Sequence, residues 1–138
     1  MRLSDKGKVM KTNSENRIQC ALFCYLKDST AISNLEAEAS HPLIQGWLDI
    51  YYTVDGQPFF VEIKEGIHKV TEGVRQLKFY KQNAKNPDNV HCVLAIGEAS
   101  ASQSLELAQA AMLCRSEGIT LMLVDATTGE PRHAGDFL

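Results

Sequence analysis

The pair Asp55-Gly56 narrows the possible folds of this chain more than any other feature. It stands between two runs rich in aromatic and β-branched residues, Gly46 to Val54 and Phe59 to Lys64. Asp-Gly supplies the positive φ angles that a tight turn between antiparallel strands requires, so a β-hairpin is expected here. Side chains alternate across a strand. Phe59, Val61 and Ile63 therefore share one face of the second strand, and Phe60, Glu62 and Lys64 the other. On the first strand Trp47, Asp49 and Tyr51 oppose Leu48, Ile50 and Tyr52. A short hairpin can lay Asp49 beside Glu62.

Helical and strand patterns flank the hairpin. Ile18, Leu22, Tyr25 and Leu26 recur at helical spacing over Asn13 to Asp28, with Asn13 or Ser14 available as the N-cap. Ala31 to Ser40 alternates weakly and reads as a half-exposed strand. After the hairpin, Val70, Val74, Leu77 and Tyr80 predict a helix over Val70 to Ala84 that ends before Asn86-Pro87. His91 to Ile96 and Ile119 to Val124 are buried strands, and Ser100 to Ser116 is a helix stopped by Gly118. The order is helix, three strands, helix, strand, helix, strand. Its natural packing is an α/β sandwich with a mixed central sheet flanked by helices.

A chain of 138 residues supports one such domain, with a basic N-terminal arm over 1–12 and a C-terminal tail over 127–138. Its 44% hydrophobic and 22% charged residues argue against disorder or a disulfide scaffold. No apolar run approaches the roughly 18 to 20 residues of a membrane span, and Met1 to Lys11 lacks the apolar centre of a signal peptide. A cytoplasmic protein with no membrane partner is expected. Cys20, Cys24, Cys92 and Cys114 form no CxxC pair and no zinc spacing, so buried reduced thiols are expected. The four histidines likewise lack metal-site spacing. A net charge of −3 has the wrong sign for coating nucleic acid by bulk electrostatics. Positive charge concentrates in the N-terminal segment and in Lys64, Lys69, Arg75, Lys78, Lys81 and Lys85, where solvated faces account for it equally well.

Charge beside a sheet core is unfavourable unless it is paired or holds a metal. Asp49, Glu62 and Lys64 therefore ask for a reason. One is a partly exposed salt bridge between Glu62 and Lys64. The other is a hard divalent cation, since magnesium in phosphate chemistry takes one or two carboxylates and leaves its other positions to water and substrate.

The string Gly46 to Gly66 resembles the catalytic hairpin of the PD-(D/E)xK nuclease superfamily, an Asp on one strand followed after a turn by Glu-x-Lys on the next. Those positions are Asp49, Glu62 and Lys64. Glu15 on the first helix and the Gln76 to Tyr80 pattern on the helix after the motif are similar to the same superfamily, as is the element order. Leu48 stands where the family name has proline. The resemblance implies a restriction-endonuclease-like αβββαβ core with an added C-terminal helix and strand. It implies Mg2+ (or Mn2+) held by Asp49, Glu62, the Ile63 carbonyl and Glu15. Lys64 would position the attacking water or stabilise the transition state, with Gln76 and Tyr80 lining the site.

The activity so implied is that of a metal-dependent DNA endonuclease, structure-selective or acting with a partner subunit, with homodimerisation as one route to a larger contact surface. Lys69, Arg75, Lys78 and Lys81 are the candidates for DNA phosphate contacts, which add affinity without sequence preference. The competing reading is a catalytically silent member of the fold that binds nucleic acid or protein. A third, an α/β ligand-binding or regulatory module, predicts no metal and no Glu15 carboxylate near Asp49.

Overall fold

The computed structural model describes residues 11–39, 48–98 and 104–133. Residues 1–10 of the basic arm, Gly46 and Trp47 of the first hairpin strand, 100–103 at the expected start of the last helix, and 134–138 of the tail lie outside the described residues.

The order is α1 (Asn13–Lys27), β1 (Ser33–Ala39), β2 (Leu48–Val54), β3 (Gln57–Lys64), a 3-10 turn over Ile67–Lys69, α2 (Val70–Gln82), β4 (His91–Gly97), α3 (Ser104–Ser116), β5 (Ile119–Val124) and β6 (Pro131–His133). The six strands form one sheet in sequence order. β1, β2 and β3 are an antiparallel meander. β3, β4 and β5 run parallel, joined by crossovers through α2 and α3, and β6 closes back antiparallel on β5. The expected mixed α/β sheet flanked by helices is what forms.

The hairpin obeys its turn chemistry. Val54 pairs with Gln57, and Asp55 (φ 52°) with Gly56 (φ 81°) makes the two-residue link. The sheet has a core on each face. Ile18, Leu22 and Leu26 of α1 cover Ile50, Tyr52, Val61, Ile63, Val93 and Ala95. On the other face Val70, Val74, Leu77 and Tyr80 of α2, with Leu107, Ala110 and Cys114 of α3, pack on Phe60, Cys92, Leu94 and Ile96. Gly73 lets α2 come close. A Cβ there would lie 2.5 Å from Leu94 Cδ1 and 3.2 Å from Lys64 Cγ.

Several expectations change. The cap of α1 is Thr12 rather than Asn13 or Ser14: its hydroxyl accepts from the Glu15 N–H at 3.1 Å, and the Glu15 carboxylate accepts from the Thr12 N–H at 3.1 Å. The C-terminal tail holds a strand, because Pro131–His133 pairs with β5. Only two cysteines are buried. Burial pushes the Cys92 and Cys114 thiols up to about 11, whereas Cys20 and Cys24 lie exposed on α1. Along β1, Asn34 (φ 58°) and Glu38 (φ 52°) take left-handed backbone, and the β1–β2 register shifts between Ser33 and Glu36.

Candidate functional site

Glu62 and Lys64 sit on the Phe60 face of β3, under α2. Glu62 is 1% exposed and Lys64 is 7% exposed. The Lys64 ammonium lies between two carboxylates, 3.8 Å from Glu62 Oε2 and 3.4 Å from Glu72 Oε1 on the first turn of α2. Leaving either charge of such a buried set alone would be strongly unfavourable, so the three hold one another in place.

Asp49 departs from the simple alternation of β2. Leu48 and Ile50 should share a face, yet Leu48 belongs to the core under α2 and α3 and Ile50 to the core under α1. The paired register with β3 runs from Val54↔Gln57 to Ile50↔Val61. Past its end the Asp49 side chain takes over: Oδ2 accepts the Ile63 N–H at 2.7 Å. Its other oxygen, Oδ1, lies 2.7 Å from the Lys11 ammonium, which also meets the Glu38 carboxylate. Asp49 is 1% exposed.

The N-terminal half of α1 supplies two more buried polar groups. Glu15 Oε2 has no hydrogen-bond partner and lies 3.9 Å from the Lys69 ammonium. One turn on, Gln19 Nε2 donates to Glu38 Oε1 at 3.2 Å while its own Oε1 is buried without a partner. Beside them Glu65, just past β3, accepts from Lys69 at 3.2 Å, meets His68 at 3.2 Å and accepts from the Thr12 hydroxyl at 3.3 Å. The hydrogen bond from Lys69, then that from His68, holds the Glu65 carboxyl below the usual carboxylate range. Burial pushes the Lys69 ammonium down, but Glu65, Glu15 and Glu72 together outweigh it and raise its pKa.

The predicted residues are therefore distributed as follows. Asp49, Glu62 and Lys64 are all buried where β2 and β3 part, and Asp49 is bonded to the backbone of Ile63. Glu15 completes a capping box with one carboxylate oxygen and leaves the other unsatisfied. No three His, Cys, Asp or Glu side chains gather closely enough to form a metal cage among the described residues. Gln76 is half-buried with its Oε1 lacking a hydrogen-bond partner, and Tyr80 packs in the core under α2. Arg75 is exposed on α2, Lys81 is half-buried, and Lys78 pairs with Glu117 at 3.1 Å. Lys69 is engaged by Glu65 and Glu15. Sequence reasoning missed Lys11, Gln19, Glu38 and Glu72. The acidic residue in a weakly alternating β1 was a usable signal for Glu38; Lys11 gave none.

The architecture has close counterparts. An XisH family protein from Nostoc punctiforme superposes with a TM-score of 0.62 at 12% identity, covering 84% of this chain and 96% of that one. A fdxN element excision controlling factor protein from Anabaena variabilis superposes with a TM-score of 0.61 at 14% identity, covering 89% and 99%. The fold is restriction-endonuclease-like. At these identities the likeness concerns the fold alone. No protein-family profile matches the chain, and no curated protein matches it in sequence. Among the described residues no helix is long and apolar enough to cross a membrane.

Proposed function

We propose that this chain is a metal-dependent DNA endonuclease of the PD-(D/E)xK type, with Asp49, Glu62 and Lys64 at its centre. The observation that carries the reading is the burial of all three charges at one place in a restriction-endonuclease-like fold, where β2 and β3 diverge. A fold of this size gains nothing in stability from burying such charges that apolar side chains would not supply.

The donor set suits a hard divalent cation such as Mg2+ or Mn2+. Asp49 and Glu62 are oxygen donors, the Ile63 carbonyl lies between them along the chain, and Glu15 Oε2 is a buried carboxylate oxygen without a hydrogen-bond partner. One or two carboxylates plus water is enough for magnesium. Bound there, the ion would lower the pKa of a water and neutralise charge on the scissile phosphate. Asp49 is held in place for that task by the Ile63 N–H. Lys64, steadied by Glu62 and Glu72, directs its ammonium at the nucleophilic water or at the charge growing on phosphate, for which a compact point charge is suited. Gln76, with a free acceptor, orients water or substrate from α2. Arg75 is the exposed cation best disposed for a DNA phosphate; Lys78 and Lys81 follow on the same helix, and Lys69 can reach phosphate only by leaving Glu65. A homodimer or partner subunit would supply further contact surface, and reduced cysteines suit a cytoplasmic setting.

A second reading, a catalytically silent module that binds nucleic acid or protein, draws on one observation. Lys11 already neutralises Asp49, and no cage of three metal-binding side chains is formed among the described residues. The deciding experiment incubates the protein with linear, supercoiled, single-stranded and four-way-junction DNA, with Mg2+, Mn2+ or chelator. Cleavage that needs metal and disappears in Glu62→Ala and in Lys64→Ala supports the nuclease. Uncut DNA in every arm, with no metal binding by calorimetry, supports the silent module.

A further inference from the structure

The carboxyl ends of the three parallel strands open into a crevice of about 640 Å3 that Asp49, Glu62 and Lys64 do not line. In open α/β sheets this is the end at which ligands are taken up, and the size suits a small molecule. Glu65 after β3, Gly97 at the end of β4 and Asp125 after β5 form one wall, and Ser14, Arg17 and Ile18 of α1 form another. Arg132 of β6 also borders it. Glycine lets the two walls meet at the base: a Cβ at Gly97 would lie 3.2 Å from Ile18 Cδ1 and 3.4 Å from the Glu65 carbonyl oxygen.

The charges of the crevice are divided between its walls. Glu65 is held by Lys69, His68 and Thr12. Glu98 pairs with Arg132 at 3.4 Å, and the charge of Arg132 also acts on Asp125, whose Oδ1 accepts the N–H groups of Thr127 and Thr128 at 2.7 and 3.0 Å. Arg17 is exposed and forms no ion pair among the described residues. Ser14 stands three residues before it on the same helix face. The α1 wall thus offers a guanidinium and a hydroxyl, both donors to an anion, and the strand ends offer carboxylate acceptors beside the apolar Ile18 and Ala126. A bare anion suits only the first wall, because Glu98 and Asp125 repel it. A nucleotide suits both: its phosphate matches arginine, and the amino group of its base matches a carboxylate.

We infer that this crevice is a nucleotide subsite, in which Arg17 and Ser14 hold a phosphate while Glu98 and Asp125 accept from the amino group of the base. The inference rests on the nuclease reading given above for one point, that the nucleotide belongs to a DNA strand. The two places adjoin along the chain, since Glu65 directly follows Lys64 and Ser14 directly precedes Glu15. A strand with its scissile phosphate at Lys64 puts a neighbouring nucleotide here. The Glu98–Arg132 pair leaves 27% and 49% of its side chains exposed, and a pair so open to solvent is weak enough for Glu98 to turn to a base. Bases that carry an amino group are therefore preferred to thymine, which has none.

The test is a nuclear magnetic resonance titration of the 15N-labelled full chain with dCMP, dTMP and deoxycytidine, comparing wild type with Arg17→Ala and Glu98→Ala. In the wild type dCMP should shift the amide signals of Gly97, Ala126 and Thr127 with a Kd on the order of 1 mM. Deoxycytidine should bind wild type about tenfold more weakly, and dCMP should bind Arg17→Ala about tenfold more weakly, because each change removes a charge-assisted hydrogen bond. A preference for dCMP over dTMP of about threefold should shrink in Glu98→Ala. Neither substitution touches a buried side chain, and the same spectra report whether the variants are folded. If about 20 mM dCMP moves none of these signals, or binds Arg17→Ala as it binds wild type, the subsite is overturned, while metal-dependent DNA cleavage would still uphold the nuclease. If dCMP binds as expected to a protein that cuts no DNA, the nucleotide site stands and the nuclease reading falls.

Discussion

The Asp49 carboxylate accepts the main-chain N–H of Ile63 at 2.7 Å, so the strand bearing Glu62 and Lys64 is fastened to its neighbour by a side chain where the backbone pairing ends. Two carboxylate oxygens do different work there. One secures the strand, and the other compensates the enclosed Lys11 ammonium.

Replacing Asp49 should separate these two tasks. Asp49→Ala removes the acceptor of the Ile63 N–H and one of the two carboxylates on the Lys11 ammonium, and should lower stability by about 2 kcal/mol, chiefly through the buried N–H left unpaired. Asp49→Asn keeps an acceptor for Ile63 and should lose less. Urea unfolding monitored at the single tryptophan or by far-ultraviolet circular dichroism measures the difference. Equal losses in the two variants would mean that the bond to Ile63 contributes nothing.

Gly73 should resist any enlargement. A methyl group there would meet Leu94 Cδ1 at 2.5 Å, and Leu94 is fully buried, so making room requires repacking of the core. Gly73→Ala should cost about 2 kcal/mol through overpacking, despite alanine's better helix propensity. It should also shift Lys64 and so depress any metal-dependent cleavage beyond what the stability loss explains. A stabilised Gly73→Ala protein would show that α2 can lift from the sheet freely.

Acid should loosen the junction between β3 and α1. The folded pKa of Glu65 lies below its ordinary value of 4.5, through Lys69 and then His68. Its contribution is therefore complete above pH 4.5 and is lost as the pH falls through the lowered folded value. Glu65→Gln should be less stable than wild type at neutral pH, and the gap should close progressively below about pH 4.5. Thermal unfolding of the two proteins across pH 3 to 7 reads this directly, and a gap that widens in acid would contradict it.

Much of this was legible in the sequence, for identifiable reasons. The hairpin was, because Asp55-Gly56 sits between residues with a period of two, and β4, β5, α1 and α2 were, because each carries an apolar run or helical period long enough to stand out. β6 was not: three residues, Pro131–His133, hold no period, and only the sheet edge left by β5 makes them a strand. The placement of Glu62 and Lys64 on one face followed from alternation. The turn of Asp49 toward Ile63 and Lys11 did not, because it depends on a local break in that alternation. Lys11 was read as part of a solvated basic arm, since a lysine near a terminus looks the same in sequence whether it is enclosed or free. Glu38 was marked only by being an acidic residue in a weakly alternating strand; its left-handed backbone, a conformation that glutamate does not advertise, was not legible.

The irregular backbone of β1 also limits how copies of this protein can meet. A regular outer strand offers an unbroken row of amide groups on which a foreign strand can crystallise, the first step toward fibrous self-association. Left-handed residues at Asn34 and Glu38, with the slipped register between Ser33 and Glu36, interrupt that row twice within seven residues. The feature that brings Glu38 to the cation thus spoils the same margin as a template for a further strand.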